Sequence, residues 1–211
     1  MAKYKVMLVE DDPLARQLIE MFIEKSENYA LETAIESASM AEVYLFKNKC
    51  DLILMDVCTA MNSNGLDSAK KIKKNYPSIK IIIITSQPEY SYLSRAKKIG
   101  VDSFWYKTLI TEEFISLLDK TMEGQNIYPD NTPTLAVGNA LSVDFTDREL
   151  EVLRLILAGE RDADIAKQLC ITLRTVKAHV QNMKEKTGAR NRTELAVMVR
   201  DAGLVIVQPK K

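Results

Sequence analysis

The chain has 211 residues, 46% apolar and 27% charged, with 29 basic side chains balanced by 29 acidic ones. That length exceeds what one core usually fills and suits two domains. The composition excludes a disordered chain, and no stretch nears the ~20 uninterrupted apolar residues of a bilayer span. Cys50, Cys58 and Cys170, odd in number and without C-x-x-C spacing, argue against a disulfide framework or a zinc site. The first five residues, MAKYK, run straight into a strand-like segment without a signal-peptide pattern, so a cytoplasmic location is expected.

Residues 5–9, 52–55 and 80–84 are short, nearly continuous apolar runs, the pattern of strands covered on both faces in a parallel sheet. Residues 29–35 and 103–106 are weaker strand candidates. Helices are predicted between them. Asp12-Pro13 reads as an N-cap and first helical residue, and Ser39-x-x-Glu42 as a capping box. Pro77 stops the helix that follows Gly65, and Gly100 stops the helix that runs to Ile99. Five strand-helix units in about 120 residues predict an α/β fold, a doubly wound five-stranded parallel sheet. Such sheets place their chemistry at the carboxyl ends of the strands.

Those strand ends collect five residues. Glu10 and Asp11 follow the first strand, Asp56 closes the third, Thr85 the fourth and Lys107 the fifth. Three crowded carboxylates repel, and all-oxygen ligands suit Mg²⁺. Asp56 is then the natural nucleophile for a phosphoryl group, with Lys107 a fixed positive charge and Thr85 a hydroxyl donor on its oxygens. Taken alone, the Glu10-Asp11-Asp12 run reads equally as a helix cap with first-turn charge.

Set as LVEDD, DLILMD, IIIITS and FWYK, these residues resemble the receiver domain of two-component response regulators over roughly residues 3–122. The resemblance implies the flavodoxin-like strand order and Asp56 as phosphoacceptor. It implies Asp11 and Asp56 as direct metal ligands, Glu10 acting through water and the Cys58 backbone carbonyl as a further ligand. Phe104 matches the switch aromatic, although Trp105 and Tyr106 beside it make core packing an equal reading. A sensor histidine kinase is implied as phosphoryl donor. Thr59-Ala60 stand where the family usually has Met-Pro, Gly65 arrives one residue late, and Thr108 replaces the usual Pro after the Lys.

Charge separates the rest of the chain from this domain. Residues 1–121 carry 16 basic against 17 acidic side chains, 122–145 none against 3, and 146–211 carry 13 against 9. Gly124, Pro129, Pro133 and Gly138 mark a linker, which divides the chain into 1–122, a linker at 123–143, and 144–211. Its apolar residues, Leu135 to Val137, can dock on either side. Thr146-x-x-Glu149 reads as a capping box opening a helix to Leu157 that Gly159 ends. A shorter helix carries Ile165, Ala166 and Leu169. A turn at Cys170-Ile171 follows, then Thr172 caps a helix to about Thr187. A final helix is predicted from a Thr193 cap to Gly203.

Four short helices with a tight turn before a basic one predict a small all-α helix-turn-helix module. Between Ile165 and Arg192 seven basic residues face one acidic, a bias that favours a polyanion partner; with a helix-turn-helix, double-stranded DNA is the expected one. Val176, Val180 and Met183 recur at core spacing. Lys177 can donate to guanine, Gln181 can pair with adenine and Ala178 can touch a thymine methyl. Arg174, Thr175, Lys184 and Arg192 are placed to hold phosphates, and the Thr172 terminus adds backbone donors. For Lys184 and Lys186 a solvated face is the competing reading. The lone His179 reads as a phosphate contact or a partly packed ring, without companions for a metal.

TVKAH followed by NRTELA resembles the LuxR-type, or GerE-like, helix-turn-helix over about residues 143–205, and the whole chain resembles the NarL/FixJ class. That class implies Lys177, Ala178 and Gln181 as base-facing positions and a last helix that joins a homodimer in the active state. The residues Arg161-Asp162-Ala163-Asp164 depart from its usual Ser-Asn-x-Glu. The resulting expectation is a DNA-binding regulator controlled by phosphoryl transfer to Asp56, not an enzyme. Two alternatives stay open: a constitutive DNA binder with a vestigial receiver, and a Mg²⁺-dependent phosphohydrolase, which lacks a second positioned acid/base beside Asp56.

Overall fold

The computed structural model describes residues 2–61, 63–86, 90–107, 113–130, 132 and 134–205. Thr108 and Pro133, two positions singled out above, lie outside the described residues. The elements run β1 (Tyr4–Val9), α1 (Pro13–Glu24), β2 (Tyr29–Ile35), α2 (Ala41–Leu45), β3 (Leu52–Asp56), β4 (Cys58–Thr59), β5 (Ser63–Asn64) and α3 (Gly65–Asn75). They continue with β6 (Lys80–Thr85), α4 (Tyr90–Ile99), β7 (Ser103–Tyr106), α5 (Glu113–Met122), β8 (Ala136–Val137) and β9 (Ala140–Leu141). Helices α6 (Asp147–Leu157), α7 (Asp162–Gln168), α8 (Leu173–Thr187) and α9 (Arg192–Asp201) follow. The main boundary between two compact units falls at residues 131/132.

In the first unit the five longer strands form one parallel sheet in the order β2-β1-β3-β6-β7, the flavodoxin-like order expected. Alternate residues of each strand supply its two faces. Val6, Leu8, Leu52, Leu54, Ile82 and Ile84 pack with Ile19 and Ile23 of α1 and with Phe114, Leu117 and Leu118 of α5. Met7, Ile53, Met55, Ile81 and Ile83 pack on the other side with Ala41, Leu66, Ile72 and Ala96. A strand buried on both faces has no place for polar alternation, which is why the sequence reads as unbroken apolar runs.

Local signals set most helix starts. The Asp12 carboxylate accepts from the Leu14 and Ala15 amides at 2.8 and 2.9 Å, with Pro13 in the first turn. Ser39 does not cap α2. A 3₁₀ turn over Ala38–Met40 precedes that helix, its Ala38 amide bonding Thr59 Oγ1 at 3.0 Å, so Ser39 lies inside the turn and bonds Ser37 instead.

The second unit gathers α6 to α9 around Leu150, Leu153, Ile165, Val176, Met183, Leu195 and Val199, with Val180 half-buried. Thr146 and Glu149 form the reciprocal box that opens α6. Cys170, with φ 52°, turns the chain between α7 and α8, and the Thr172 hydroxyl caps α8 through the Thr175 amide at 3.1 Å. The cap of the last helix lies two residues before the expected one. Asn191 Oδ1 accepts from the Glu194 amide at 2.9 Å, leaving Thr193 within the first turn.

Both ends of the linker stretch are anchored. Ile127 exchanges hydrogen bonds with β7, its carbonyl accepting from the Phe104 amide and its amide donating to Ser103 Oγ. The Tyr128 hydroxyl donates to the Val101 carbonyl. At the other end β8 and β9 form an antiparallel hairpin with Val137 and Ala140 in the core of the second unit. Its Asn139 amide donates to the Thr187 carbonyl at the end of α8, 3.0 Å away. Gly138 has φ 59°, and a Cβ there would lie 2.2 Å from that same oxygen. Among the described residues no helix is long and apolar enough to cross a membrane.

Candidate functional site

Parallel register carries the strand-end residues to one edge of the first unit. Val9 pairs with Met55, Asp56 with Ile84 and Thr85 with Tyr106, so the residues closing β1, β3, β6 and β7 arrive side by side. One carboxylate oxygen from each of Glu10, Asp11 and Asp56 lies within 4.8 Å of the others. Glu10, Asp56 and Thr85 are buried and Asp11 is half-buried. Lys107 Nζ sits 2.9 Å from Asp56 Oδ2 and 2.5 Å from Glu10 Oε2.

Two backbone amides complete the carboxylates: Val57 N donates to Asp56 Oδ1 at 2.6 Å and Asp12 N to Glu10 Oε1 at 3.1 Å. Glu10 Oε2 is buried and, despite the nearby ammonium, receives no well-directed hydrogen bond among the described residues. Burial pushes the Asp56 carboxyl up to about 7; the Lys107 ammonium opposes this and the Glu10 charge adds to it. Burial also works against a charged Lys107, yet Asp56 and Glu10 together hold its pKa above the ordinary lysine value. Three acids against one ammonium leave an excess of negative charge. This oxygen-only donor set fits a hard divalent cation.

The segment after Asp56 departs from expectation in sequence but is regular in structure. Its extra length is taken up by the β4–β5 hairpin, in which Cys58 pairs with Asn64 and Thr59 with Ser63, with Met61 at φ 62° in the turn. Thr59 Oγ1 donates to the Ser63 carbonyl at 2.8 Å and Ala60 N to the Glu36 carbonyl at 2.9 Å, tying the hairpin down. Gly65 then returns to the sheet, its amide 2.8 Å from the Val57 carbonyl. A Cβ on Gly65 would stand 1.8 Å from the Asp56 carbonyl oxygen. Phe104 is fully buried, its ring edge-on to Tyr106 with centroids 5.2 Å apart.

Sequence patterns gave no sign of Arg16. Its guanidinium donates to the Glu10 carbonyl at 2.8 Å and pairs with Glu36 at 3.2 Å, fixing the backbone that carries two of the acids. A contact six residues along, across a strand-to-helix turn, has no periodic signature.

A second candidate surface lies on α8. Arg174, Lys177, Ala178 and Gln181 are exposed at i, i+3, i+4 and i+7 and so share a face. Thr175, His179 and Lys184 are half-buried beside them. Gln181 Nε2 donates to Glu185 at 2.8 Å, and Lys184 Nζ lies 3.4 Å from Gln181 Oε1. Thr172 and Thr175 share a hydroxyl hydrogen bond of 2.8 Å within the cap. Two basic residues are drawn into the scaffold. Arg192 pairs with the Asp162 carboxylate and donates to the Glu160 carbonyl at 2.5 Å. Lys186 reaches the Asp144 carbonyl at 2.8 Å and Glu149 at 2.7 Å, so a solvated face does not describe it.

Two family models match this architecture: response regulator receiver domain over residues 6–119, and bacterial regulatory proteins, luxR family, over residues 143–199. The response regulator protein VraR of Staphylococcus epidermidis is 30% identical over 199 residues, covering 92% of this chain and 94% of the relative. VraR of Staphylococcus aureus is 30% identical over 201 residues, with the same coverage. Among solved structures, the RcsB response regulator of Salmonella typhimurium is similar at a TM-score of 0.65 and 20% identity, over 96% of this chain and 99% of that one. The response regulator ChrA of a heme-sensing two-component system matches at a TM-score of 0.52 and 18% identity, over 97% and 100%. At such identities the two structures support the fold.

Proposed function

Because the chain belongs to the response regulators that join a receiver domain to a luxR-family DNA-binding domain, we propose that it is a transcription regulator gated by phosphorylation of Asp56. The observation that carries this reading is the meeting of Glu10, Asp11, Asp56 and Lys107 at adjoining strand ends. A phosphohistidine of a sensor histidine kinase is the donor. An Asp56 carboxylate oxygen forms the new bond to phosphorus as the bond to the imidazole nitrogen breaks.

Lys107 supplies a positive charge to the incoming phosphoryl oxygens, Thr85 a hydroxyl donor, and Phe104 the aromatic ring that repacks in response. Mg²⁺ would be held by Glu10, Asp11, Asp56 and the Cys58 backbone carbonyl, and when bound it offsets the negative charge of these acids and of the phosphoryl group. In this reading Asp56 is a stoichiometric acceptor, not a turnover site; its carboxylate accepts from Lys107 and the Val57 amide.

The output is sequence-specific binding of double-stranded DNA in the cytoplasm, by a homodimer in the active state with α9 at the contact. Lys177, Ala178 and Gln181 read bases. Thr172, Arg174, Thr175, His179 and Lys184 hold phosphates, and Arg192 joins them at the expense of its pairing with Asp162. The solved relatives include RcsB dimers bound to DNA, which supports this reading.

A small phosphodonor with Mg²⁺ should label the wild-type chain and leave Asp56→Ala unlabelled; equal labelling of the variant defeats the assignment. Footprinting with and without the donor tests the gate. An affinity unmoved by full labelling would favour constitutive binding, the reading that the irregular β4–β5 segment invites.

A further inference from the structure

The first unit is close to neutral as a whole, but its charge is sorted by position. Residues 1–64 carry 6 basic against 11 acidic side chains, whereas residues 65–100 carry 8 against 2. The second stretch contains α3, β6 and α4. Two of its basic groups are neutralised inside the fold, since Lys73 and Lys80 bind the buried Asp102 carboxylate at 2.9 and 3.0 Å.

Lys97 lies over the Tyr128 ring; the other five gather on a surface. Arg95 of α4 bridges to Asp67 of α3 at 3.1 Å, so the two helices adjoin there. As successive crossovers of one parallel sheet they run in the same direction. Lys70 and Lys71 stand three and four residues beyond Asp67, Lys74 seven beyond it, and Lys98 three beyond Arg95, so all four lie on the side marked by that ion pair. All four are exposed, and none pairs with a carboxylate among the described residues.

We propose that this α3–α4 flank binds the phosphate backbone of double-stranded DNA without reading its sequence, adding a second polyanion contact to that of α8. The inference rests on the DNA-binding reading above. Four ammonium groups along two parallel helices complement a line of phosphates. The four lysines are ammonium point charges and the guanidinium of Arg95 beside them is engaged by Asp67, so their contribution is to affinity and residence on DNA, not to preference.

The test uses the full chain with Lys70, Lys71, Lys74 and Lys98 changed together to Gln, against duplexes of random and selected sequence. The expected result on random duplex is a plot of log affinity against log salt shallower by roughly 2–4, about 0.9 per lost phosphate contact. Binding at low salt falls at least about tenfold, and the selected-to-random ratio stays the same. An unchanged slope and affinity overturns the flank's role. Unchanged duplex binding with lost capture on polyglutamate also overturns it, in favour of an acidic protein. If Lys177→Ala loses sequence preference while the quadruple variant matches wild type, only the flank fails. If wild type binds no duplex, the DNA reading falls as well. All four residues are exposed, and a preserved melting temperature confirms that the variant is folded.

Discussion

The two candidate surfaces are built on opposite terms. At the strand ends of the first unit the chemistry is buried: Glu10 and Thr85 have no exposed surface, Asp56 has 6%, and a single ammonium serves two carboxylates. On α8 the residues proposed to read bases, Lys177, Ala178 and Gln181, are exposed, and the buried charge is relegated to the scaffold, where Lys186 answers Glu149. Burial makes the first site sensitive to sub-ångström displacement and costly to hold together without a ligand. Exposure makes the second tolerant of substitution but weak in each contact. The difference teaches where a mutation acts: on stability and phosphorylation together at the strand ends of the first unit, on binding at the exposed face of α8.

The sharpest way to break that contrast is Gly65→Ala. The added methyl meets the carbonyl of Asp56 itself, and a backbone oxygen cannot swing aside. The first unit should lose about 3 kcal/mol, and labelling of Asp56 should slow with it. Denaturant titration followed at Trp105, the single tryptophan, measures the stability term. A variant with wild-type stability and labelling would mean that the close approach is unimportant.

Next comes Lys186→Met, which leaves Glu149 buried without its cation. The cost should be about 2 kcal/mol, below the roughly 3–5 of a fully buried pair because Lys186 keeps 31% of its side chain in water. Burial works to raise the Glu149 carboxyl, but the Lys186 and Thr146 hydrogen bonds outweigh it and hold the group below the ordinary range. A lowered folded value means that the stabilisation is complete above the unfolded carboxylate pKa and is lost as pH falls through the folded one. The variant should therefore show less acid-dependent loss of hydrogen-exchange protection in α6. The first unit should keep its own acid sensitivity. There Asp102 is held low by Lys73, the Ile81 amide and Lys80 against the opposing effect of burial.

The smallest effects are those at the exposed face of α8. Lys177→Ala should cost about 1–2 kcal/mol of discrimination at one base pair, whereas Lys184→Ala should weaken all duplexes alike and reduce the salt slope by roughly 1. Equal losses on selected and random DNA for Lys177→Ala would move that residue to the backbone contacts.

The five main strands were legible in the sequence because burial on both faces leaves uninterrupted apolar runs, and the strand-end acids were legible because a parallel sheet collects them by topology alone. What escaped depends on partners distant in the chain. The β4–β5 and β8–β9 hairpins are two residues per strand, too short for any periodicity, and they exist because Glu36 and Thr187 supply carbonyls from elsewhere. Two caps were misplaced for a related reason. Ser37 and Ser39 bond each other while Thr59, far along the chain, takes the Ala38 amide, so neither serine caps; Asn191 and Thr193 are both good caps two residues apart, and Asn191 takes the role. For Arg192 and Lys186 the sequence shows positive charge; only the fold shows that Asp162 and Glu149 have already taken it up.

The β8–β9 hairpin decides where the second unit can be cut. The match to the luxR-family model begins at residue 143, and a fragment started there would look complete by that match. It would lose Val137 and Ala140 from its core, each nearly fully buried, together with the amide that closes the last turn of α8. A fragment beginning at Thr132 keeps all three. The compact unit is therefore longer than its family signature, and a truncation made at the signature should compromise the helix it was meant to isolate.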